Sequence, residues 1–217
     1  MLEKLIEFIA PDECLVCRQE GRCLCEDCAK SVLQPKKQSC VFCNTLNETG
    51  KTCPNCYRKH GLSGATIAYR YEGSVKELIA QMKYQNRRSV ARYFASKLPM
   101  QPASQDYIIC YVPADGPARR RRGYDQAEVL ARAYAKQLGA KAQSLLYRKQ
   151  HSAQVGKGRA NRFESVQGNF LPRTRIDGKK VVLIDDVITT GATTSECAKV
   201  LKAAGAKSVW ALAIAKG

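Results

Sequence analysis

The sequence predicts an α/β protein in which helices flank a parallel sheet and a small cysteine-rich module precedes it. From about residue 65, strand-like apolar segments alternate with segments of helical periodicity, which is the pattern of parallel sheets. The first 60 residues lack sustained periodicity beyond residue 10, yet they hold nine of the 11 cysteines. We therefore predict two domains, residues 1–60 and residues 61–217, joined by a linker near residues 58–64.

The elements of the α/β part follow in order. TIAYRY predicts a strand, SVKELIAQMKY a helix with one apolar face, SVARYFASKL a short helix and YIICYVP a buried strand. Asp125 and Glu128 form a capping signature for the next helix, which Gly139 ends. KVVLI predicts another strand, and a further helix stops at Gly205 before the last strand, SVWALAIA. The sheet is thus built from repeated strand, loop and helix units.

Four CxxC pairs predict two structural zinc sites. A CxxC turn lets two thiolates reach one tetrahedral ion, and two such turns close the site. Zinc can supply on the order of 10 kcal/mol of folding free energy, which compensates for the small apolar core of this module. Sequential pairing is favoured, with interleaved pairing and a 4Fe-4S cluster as alternatives. Cys23 is left over, as a bystander or a substitute for Cys25. The predicted ligands are Cys14, Cys17, Cys25, Cys28, Cys40, Cys43, Cys53 and Cys56.

The segment VVLIDDVITTGATT carries the strongest functional signal. An apolar strand leads to Asp185 and Asp186, and then to a turn of small residues that opens a helix near Ala192. Gly191 permits a tight turn whose amides converge on an anion, and the helix N-terminus adds its dipole and donors. The two carboxylates would repel a phosphate, but they accept hydrogen bonds from sugar hydroxyls. The pattern therefore predicts a site for a phosphorylated sugar. Further hydroxyl donors are Thr189, Thr190, Thr193 and Thr194.

At these residues the chain resembles type I phosphoribosyltransferases, and more closely the ComF family of competence-associated proteins. The second resemblance spans almost the whole chain: the CxxC pairs, MKYQNRR, VPADGPARRRRGYDQAEVLA, QVGKGRANRFESVQGNF and the acidic motif. It implies that 5-phosphoribosyl-1-pyrophosphate (PRPP) binds with Mg²⁺. Asp185 and Asp186 would then hold the ribose hydroxyls, and residues 189–194 would surround the 5-phosphate. The usual family form has a longer polar or basic run after VP, and Asn where Asp125 stands.

Two basic segments are expected beside this motif. The arginine run is expected on a loop at the same sheet edge, where guanidinium groups can clamp pyrophosphate bidentately, with a solvated charge cluster as the alternative. The run comprises Arg119, Arg120, Arg121 and Arg122. The segment GKGRANR is expected to form a lid, as a mobile loop before the PRPP strand does in the resembling enzymes. Its basic residues are Lys157, Arg159 and Arg162.

The charge of the chain is concentrated in its larger part. The formal net charge is +17, and residues 1–60 hold 9 Lys/Arg against 8 Asp/Glu, whereas the remainder holds 27 against 11. Such a basic surface favours phosphate-bearing partners, either a small ligand or nucleic acid. The N-terminal apolar stretch is interrupted by charges and does not read as a signal peptide. Since no run of about 18 apolar residues occurs, we expect no membrane span and a cytoplasmic location.

Three functions are compatible with these features. The family resemblance favours a PRPP-binding protein that takes part in DNA uptake or single-stranded DNA handling in natural competence. It also implies a competence helicase or another uptake protein as a partner. The second function is an active phosphoribosyltransferase of nucleotide or nucleoside metabolism whose acceptor is unknown. The third is a zinc-ribbon regulator for which PRPP is only a signal. No side chain is assigned a catalytic role.

Overall fold

The computed structural model describes residues 11–99, 107–149 and 168–217. The strands of these ranges are β1 (Gly64–Arg70), β2 (Tyr107–Tyr111), β3 (Ala142–Gln143), β4 (Leu146–Arg148), β5 (Phe170–Pro172), β6 (Lys180–Ile188) and β7 (Ser208–Lys216). The helices are α1 (Glu26–Val32), α2 (Pro54–His60), α3 (Gly73–Tyr84), α4 (Arg88–Lys97), α5 (Gly116–Arg122), α6 (Gln126–Gln137) and α7 (Ala192–Ala203). None of these helices is both long and apolar enough to cross a membrane.

The central feature is a parallel sheet of five strands in the order β1-β7-β6-β2-β3, beside an antiparallel pair formed by β4 and β5. β6 and β7 are nearly continuous apolar runs because both faces of the sheet are covered. Along β6, Val182 and Ile184 pack with α3, α4 and α6, whereas Val181 and Leu183 pack with α7. This two-residue alternation divides the core into two layers. The predicted α/β class with a parallel sheet is confirmed.

The two neighbouring strands β2 and β6 continue into helices on opposite faces of the sheet. The chain after β2 leads to α6 in one layer, and the chain after β6 leads to α7 in the other. Where the connections of adjacent strands diverge in this way, a crevice opens at the carboxyl ends of the strands, and open α/β sheets bind ligands there. The topology therefore predicts that the residues that follow Tyr111 and Ile184 line a ligand site.

The cysteine-rich segment packs against the α/β part through two different surfaces. Cys14 and Leu24 are buried in the same apolar layer as α3 and α4. Residues 35–52 instead run beside the edge strand β1, where the side chain of Gln38 donates to the Ile67 carbonyl at 3.0 Å and accepts from the Ile67 amide at 3.2 Å. The division of the chain at residue 60 stays a prediction, and β1 begins just after it.

Two local predictions are wrong. The arginine run is not a loop but most of α5, which begins after Asp115, a residue whose carboxylate accepts a hydrogen bond from the Ala118 amide at 2.6 Å. Proline in the first turn and a left-handed Gly123 at the end complete a well-formed short helix. The second correction concerns Asp185 and Asp186, which lie within β6 rather than after it. Pairing with β7 continues to Ile188, so the strand holds both acids in an extended backbone.

Candidate functional site

A cavity of about 200 Å³ lies at the carboxyl ends of β2 and β6, where the two connections diverge. Its walls come from α3, the segment after β2, α5, α6, β4, β6 and α7. Acidic and basic groups face each other across a small space, which is typical of a site for a polar ligand. The charged and polar residues that line it are Lys83, Arg122, Asp125, Gln126, Arg148, Asp185, Asp186 and Thr193.

The two adjacent acids of β6 are anchored by the backbone that follows them. The amide of Asp186 donates to Asp185 Oδ1 at 2.8 Å, and the amide of Val187 donates to Asp186 Oδ1 at 2.7 Å. Burial raises the pKa of Asp185 well above its usual range, and the neighbouring charge of Asp186 raises it further. The Oδ2 atom of each carboxylate is suited to accept hydrogen bonds from hydroxyl groups, and in Asp186 this atom is also in contact with Lys83.

Lys83 neutralises part of this negative charge, and no local sequence pattern identifies it as a site residue. It lies in the last turn of α3, and its Nζ is 2.8 Å from Asp186 Oδ2. Burial acts to lower the pKa of Lys83, but Asp186 and then Asp185 outweigh that effect, and the pKa is raised. The side chain is therefore a cation at neutral pH. From the sequence, Lys83 is visible only as part of the helix end MKYQNRR. Its pairing with Asp186 could not be predicted, because Asp186 lies about 100 residues later in the chain.

The start of α6 forms the opposite wall of the cavity. Asp125 caps this helix as predicted, with Oδ1 accepting from the amides of Ala127 at 3.0 Å and Glu128 at 3.3 Å. Its Oδ2 accepts from the Ala114 amide at 2.7 Å, which joins the end of β2 to α6. Burial raises the pKa of Asp125, although these backbone hydrogen bonds act in the opposite direction. Asp125 thus shapes the wall rather than offering a free carboxylate.

Only one of the four arginines of α5 lines the cavity. Arg122 donates a hydrogen bond to Gln126 Oε1 at 3.0 Å, and its Cζ lies 5.5 Å from the centroid of the Tyr84 ring. Its Nε and the Nε2 of Gln126 are buried without a hydrogen-bond partner among the described residues. The exposed side chains point elsewhere because a helix turns successive residues by about 100°. These exposed arginines are Arg119, Arg120 and Arg121.

The turn after β6 has the shape that the sequence predicts. Gly191 adopts a left-handed backbone with φ of 78° and stands at the N-cap of α7, where it offers no side chain to the helix amides. First-turn amides lack partners within a helix, so this end can receive an anion. Thr193 lines the cavity, and Thr189 and Thr190 are exposed beside it. Thr194 is instead buried, together with Ala192 and the rest of the inner face of α7.

Two further basic features bear on the site. Arg148, at the end of β4, lines the cavity and lies over the ring of Phe170 at 5.3 Å. Its position depends on the β4–β5 pair, which local sequence patterns did not reveal. The predicted lid residues Lys157, Arg159 and Arg162 lie outside the described residues, so the lid stays a prediction.

The eight CxxC cysteines form two groups, paired sequentially as favoured from the sequence. Within each group the four sulfur atoms lie within 4.8 Å of one another. The contacts Cys14–Cys25 at 3.8 Å and Cys43–Cys53 at 3.7 Å match the spacing of about 3.8 Å expected around a tetrahedral ion with 2.3 Å metal–sulfur bonds. Two groups of four thiolates therefore suit two structural zinc ions. The first group is Cys14, Cys17, Cys25 and Cys28, and the second group is Cys40, Cys43, Cys53 and Cys56.

The remaining cysteines are not part of these groups. Cys23 is buried beside the first group, and burial raises the pKa of its thiol to about 11, so it remains a neutral bystander. Cys110 and Cys197 are also buried, and burial raises the pKa of each thiol. They behave as small apolar residues of the core, as predicted.

Comparison with known proteins agrees with this architecture. The phosphoribosyl transferase domain family matches residues 124–217, which include β6 and the turn after it. The chain is 28% identical over 199 residues to competence protein ComFC of Streptococcus pneumoniae, covering 90% of this chain and 88% of that protein. It is 27% identical over 207 residues to competence protein F of Haemophilus influenzae, with 88% and 90% covered. DNA utilization protein YhgH of Salmonella typhi is 25% identical over 221 residues, with 93% and 96% covered.

Proposed function

We propose that this chain, a ComF-type protein with a phosphoribosyltransferase domain, binds PRPP together with Mg²⁺ in the cavity between β2 and β6. The observation that carries the proposal is the convergence of three groups on one cavity. Asp185 and Asp186 supply acceptors for hydroxyls, Thr193 belongs to the turn that can receive a phosphate, and Lys83 and Arg122 supply positive charge. PRPP requires this combination because it carries a 5-phosphate, two ribose hydroxyls and a pyrophosphate.

Each part of the ligand has a chemically suitable partner. The 5-phosphate fits the turn at residues 189–194, where backbone amides and hydroxyls are available. The ribose hydroxyls would donate to Asp185 and Asp186. The pyrophosphate would lie near Arg122, whose Nε still lacks a partner among the described residues. Carboxylate and phosphate oxygens are the ligands that Mg²⁺ prefers, and the ion would offset the charge of the pyrophosphate.

We further propose that the protein uses this site in the handling of single-stranded DNA during natural competence. The names of its relatives refer to competence and DNA utilization. Its positive charge is concentrated in residues 61–217. Two exposed tyrosines beside arginines support a surface on which bases can stack: Tyr84 is 70% exposed under Arg122, and Tyr147 is 39% exposed under Arg173.

Calorimetry of PRPP with Mg²⁺ tests the ligand directly. The wild type should bind, and the double variant Asp185→Asn/Asp186→Asn should bind at least about 100-fold more weakly, because two ribose contacts to charged acceptors are each worth about 1.5–3 kcal/mol. Asp27→Asn is the matched control, since that side chain is 94% exposed and lies in α1. Equal affinity of the wild type and the double variant would remove the proposed site.

Two further measurements separate the possible roles. Pyrophosphate release from PRPP with a panel of nucleobases identifies a true transferase, which is the alternative function. Single-stranded DNA binding measured at several salt concentrations should give a steep slope if several phosphates are contacted. Binding should weaken in Tyr84→Ala and Tyr147→Ala but not in Tyr57→Ala, whose side chain is also 39% exposed but lies in α2. A flat slope would exclude the DNA role.

A further inference from the structure

The second cysteine group touches the turn that opens α7. Phe42 lies inside the first CxxC loop of this group, between Cys40 and Cys43. A Cβ atom built on Gly191 would lie 2.8 Å from Phe42 Cε1 and 3.1 Å from Phe42 Cδ1. The ring therefore packs directly on the backbone of the turn. Glycine at position 191 serves both the left-handed φ and this close approach.

The other CxxC loop of the same group leads to a second contact. His60, in the last turn of α2, stacks on Phe42 with ring centroids 3.8 Å apart and planes inclined by 11°. Its Nδ1 is 3.0 Å from Ser195 Oγ, a buried hydroxyl in the first turn of α7. Phe42 thus lies against the turn with His60 behind it, and His60 is itself joined to α7.

A third contact ties the first CxxC loop to the end of the sheet. Lys216 donates from Nζ to the Val41 carbonyl at 2.8 Å and also hydrogen bonds to Asn44 Oδ1. In the sheet, Lys216 is the direct partner of Ile188, the last residue of β6 before the turn. Residues 188–195 are therefore held on one side by the sheet and on the other by the second cysteine group.

The first cysteine group gives an internal comparison. Val16 occupies the position equivalent to Phe42, as the second residue between the two cysteines of a CxxC pair, and it is 46% exposed. The first group packs through Leu24 under α3 and α4. Phe42 of the second group therefore has a packing partner, Gly191, whereas Val16 at the matching position of the first group is exposed.

We propose that the second cysteine group positions the phosphate-binding turn, with Phe42 as the positioning residue, so that metal binding to this group controls affinity for the phosphorylated ligand. The identity of that ligand rests on the proposed function. A turn that contains glycine has many accessible backbone states, and only a fraction of them aims its amides at one point. A rigid metal-bound loop against one side of the turn removes the alternatives and lowers the ordering cost of binding. Without its metal, a four-cysteine loop loses most of its fold.

The decisive variant is Phe42→Ala, because it removes the ring and keeps all four thiolates. We expect it to retain two zinc ions per chain by elemental analysis. Hydrogen exchange of the amides in 189–195 should become faster in the ligand-free protein. Affinity for PRPP with Mg²⁺ should fall about tenfold, as it does when the competent turn is populated about one tenth of the time. Phe42→Tyr keeps the ring and should restore both properties, and Val16→Ala should match the wild type in both.

A metal-ligand variant extends the test. Cys43→Ser should lose one zinc ion and show the same faster exchange at 189–195 as Phe42→Ala. If Phe42→Ala exchanges and binds as the wild type does, or if Val16→Ala changes these amides equally, the positioning role is wrong. The exchange measurement needs no ligand, so it still decides the positioning role if the wild type fails to bind PRPP. In that case the proposed function fails alone.

Discussion

Replacing Lys83 by Met should destabilise the ligand-free protein by about 2 kcal/mol, because it leaves two adjacent acids in a partly buried cavity without their cation. Lys83 Nζ lies 2.8 Å from Asp186 Oδ2, and the two side chains are 19% and 13% exposed. Exposed ion pairs couple by about 0.2–1 kcal/mol, whereas breaking a fully buried pair costs about 3–5 kcal/mol. Because the burial of this pair is intermediate, we expect the cost of Lys83→Met to lie between these limits.

The pH dependence follows from the signs of the shifts. Because the pKa of Lys83 is raised, its contribution is fully present below the pKa of an unfolded lysine and is lost only as pH rises through the higher folded value. The wild-type contribution should therefore be constant between about pH 7 and pH 9. In Lys83→Met, the folded pKa of Asp185 should rise further. The cost of its charge is then present above that raised pKa, so the destabilisation should shrink as the pH falls through it.

Urea unfolding of a double-mutant cycle measures the coupling. The set is wild type, Lys83→Met, Asp186→Asn and the double variant, all with zinc present so that the cysteine groups stay intact. The free energy of unfolding of the double variant should fall by about 1–2 kcal/mol less than the sum of the decreases in the two single variants. Lys76→Met is the control, since Lys76 is exposed on the same helix and should change stability by less than about 0.5 kcal/mol. Strict additivity of the two single variants would refute the ion-pair reasoning.

Two other predictions concern the walls of the cavity. In urea unfolding, Asp125→Ala should lower the free energy of unfolding by about 1–2 kcal/mol, because three backbone amides lose their acceptor. Asp125→Asn should keep most of the cap, and equal losses in the two variants would contradict the capping role. Arg122→Ala should weaken PRPP binding about tenfold in calorimetry, while Arg120→Ala, an exposed residue of the same helix, should change it less than about twofold; equal losses would indicate a general effect of charge.

Several features were accessible from sequence because their cause is local. The CxxC spacing predicts two four-cysteine groups, since a two-residue turn is enough to bring two sulfur atoms together. The start of α6 at Asp125 follows from side-chain capping within three residues. The turn at Gly191 follows from the backbone freedom of glycine after an apolar strand. The prediction of a loop at the arginine run was wrong for a local reason too, because Asp115 caps a helix there and Pro117 lies in its first turn.

The fold class, the metal-binding pattern and the acidic motif could be derived from the sequence alone, because periodicity, spacing and turn chemistry act over a few residues. Tertiary packing was needed to show that Lys83 neutralises Asp186 and that Arg122, alone among the four arginines of α5, lines the cavity. It also decided that Phe42 of the second cysteine group packs on Gly191. These contacts join residues about 40 to 150 positions apart, and their free energy depends on how the layers pack around the sheet. No local pattern encodes such a distance.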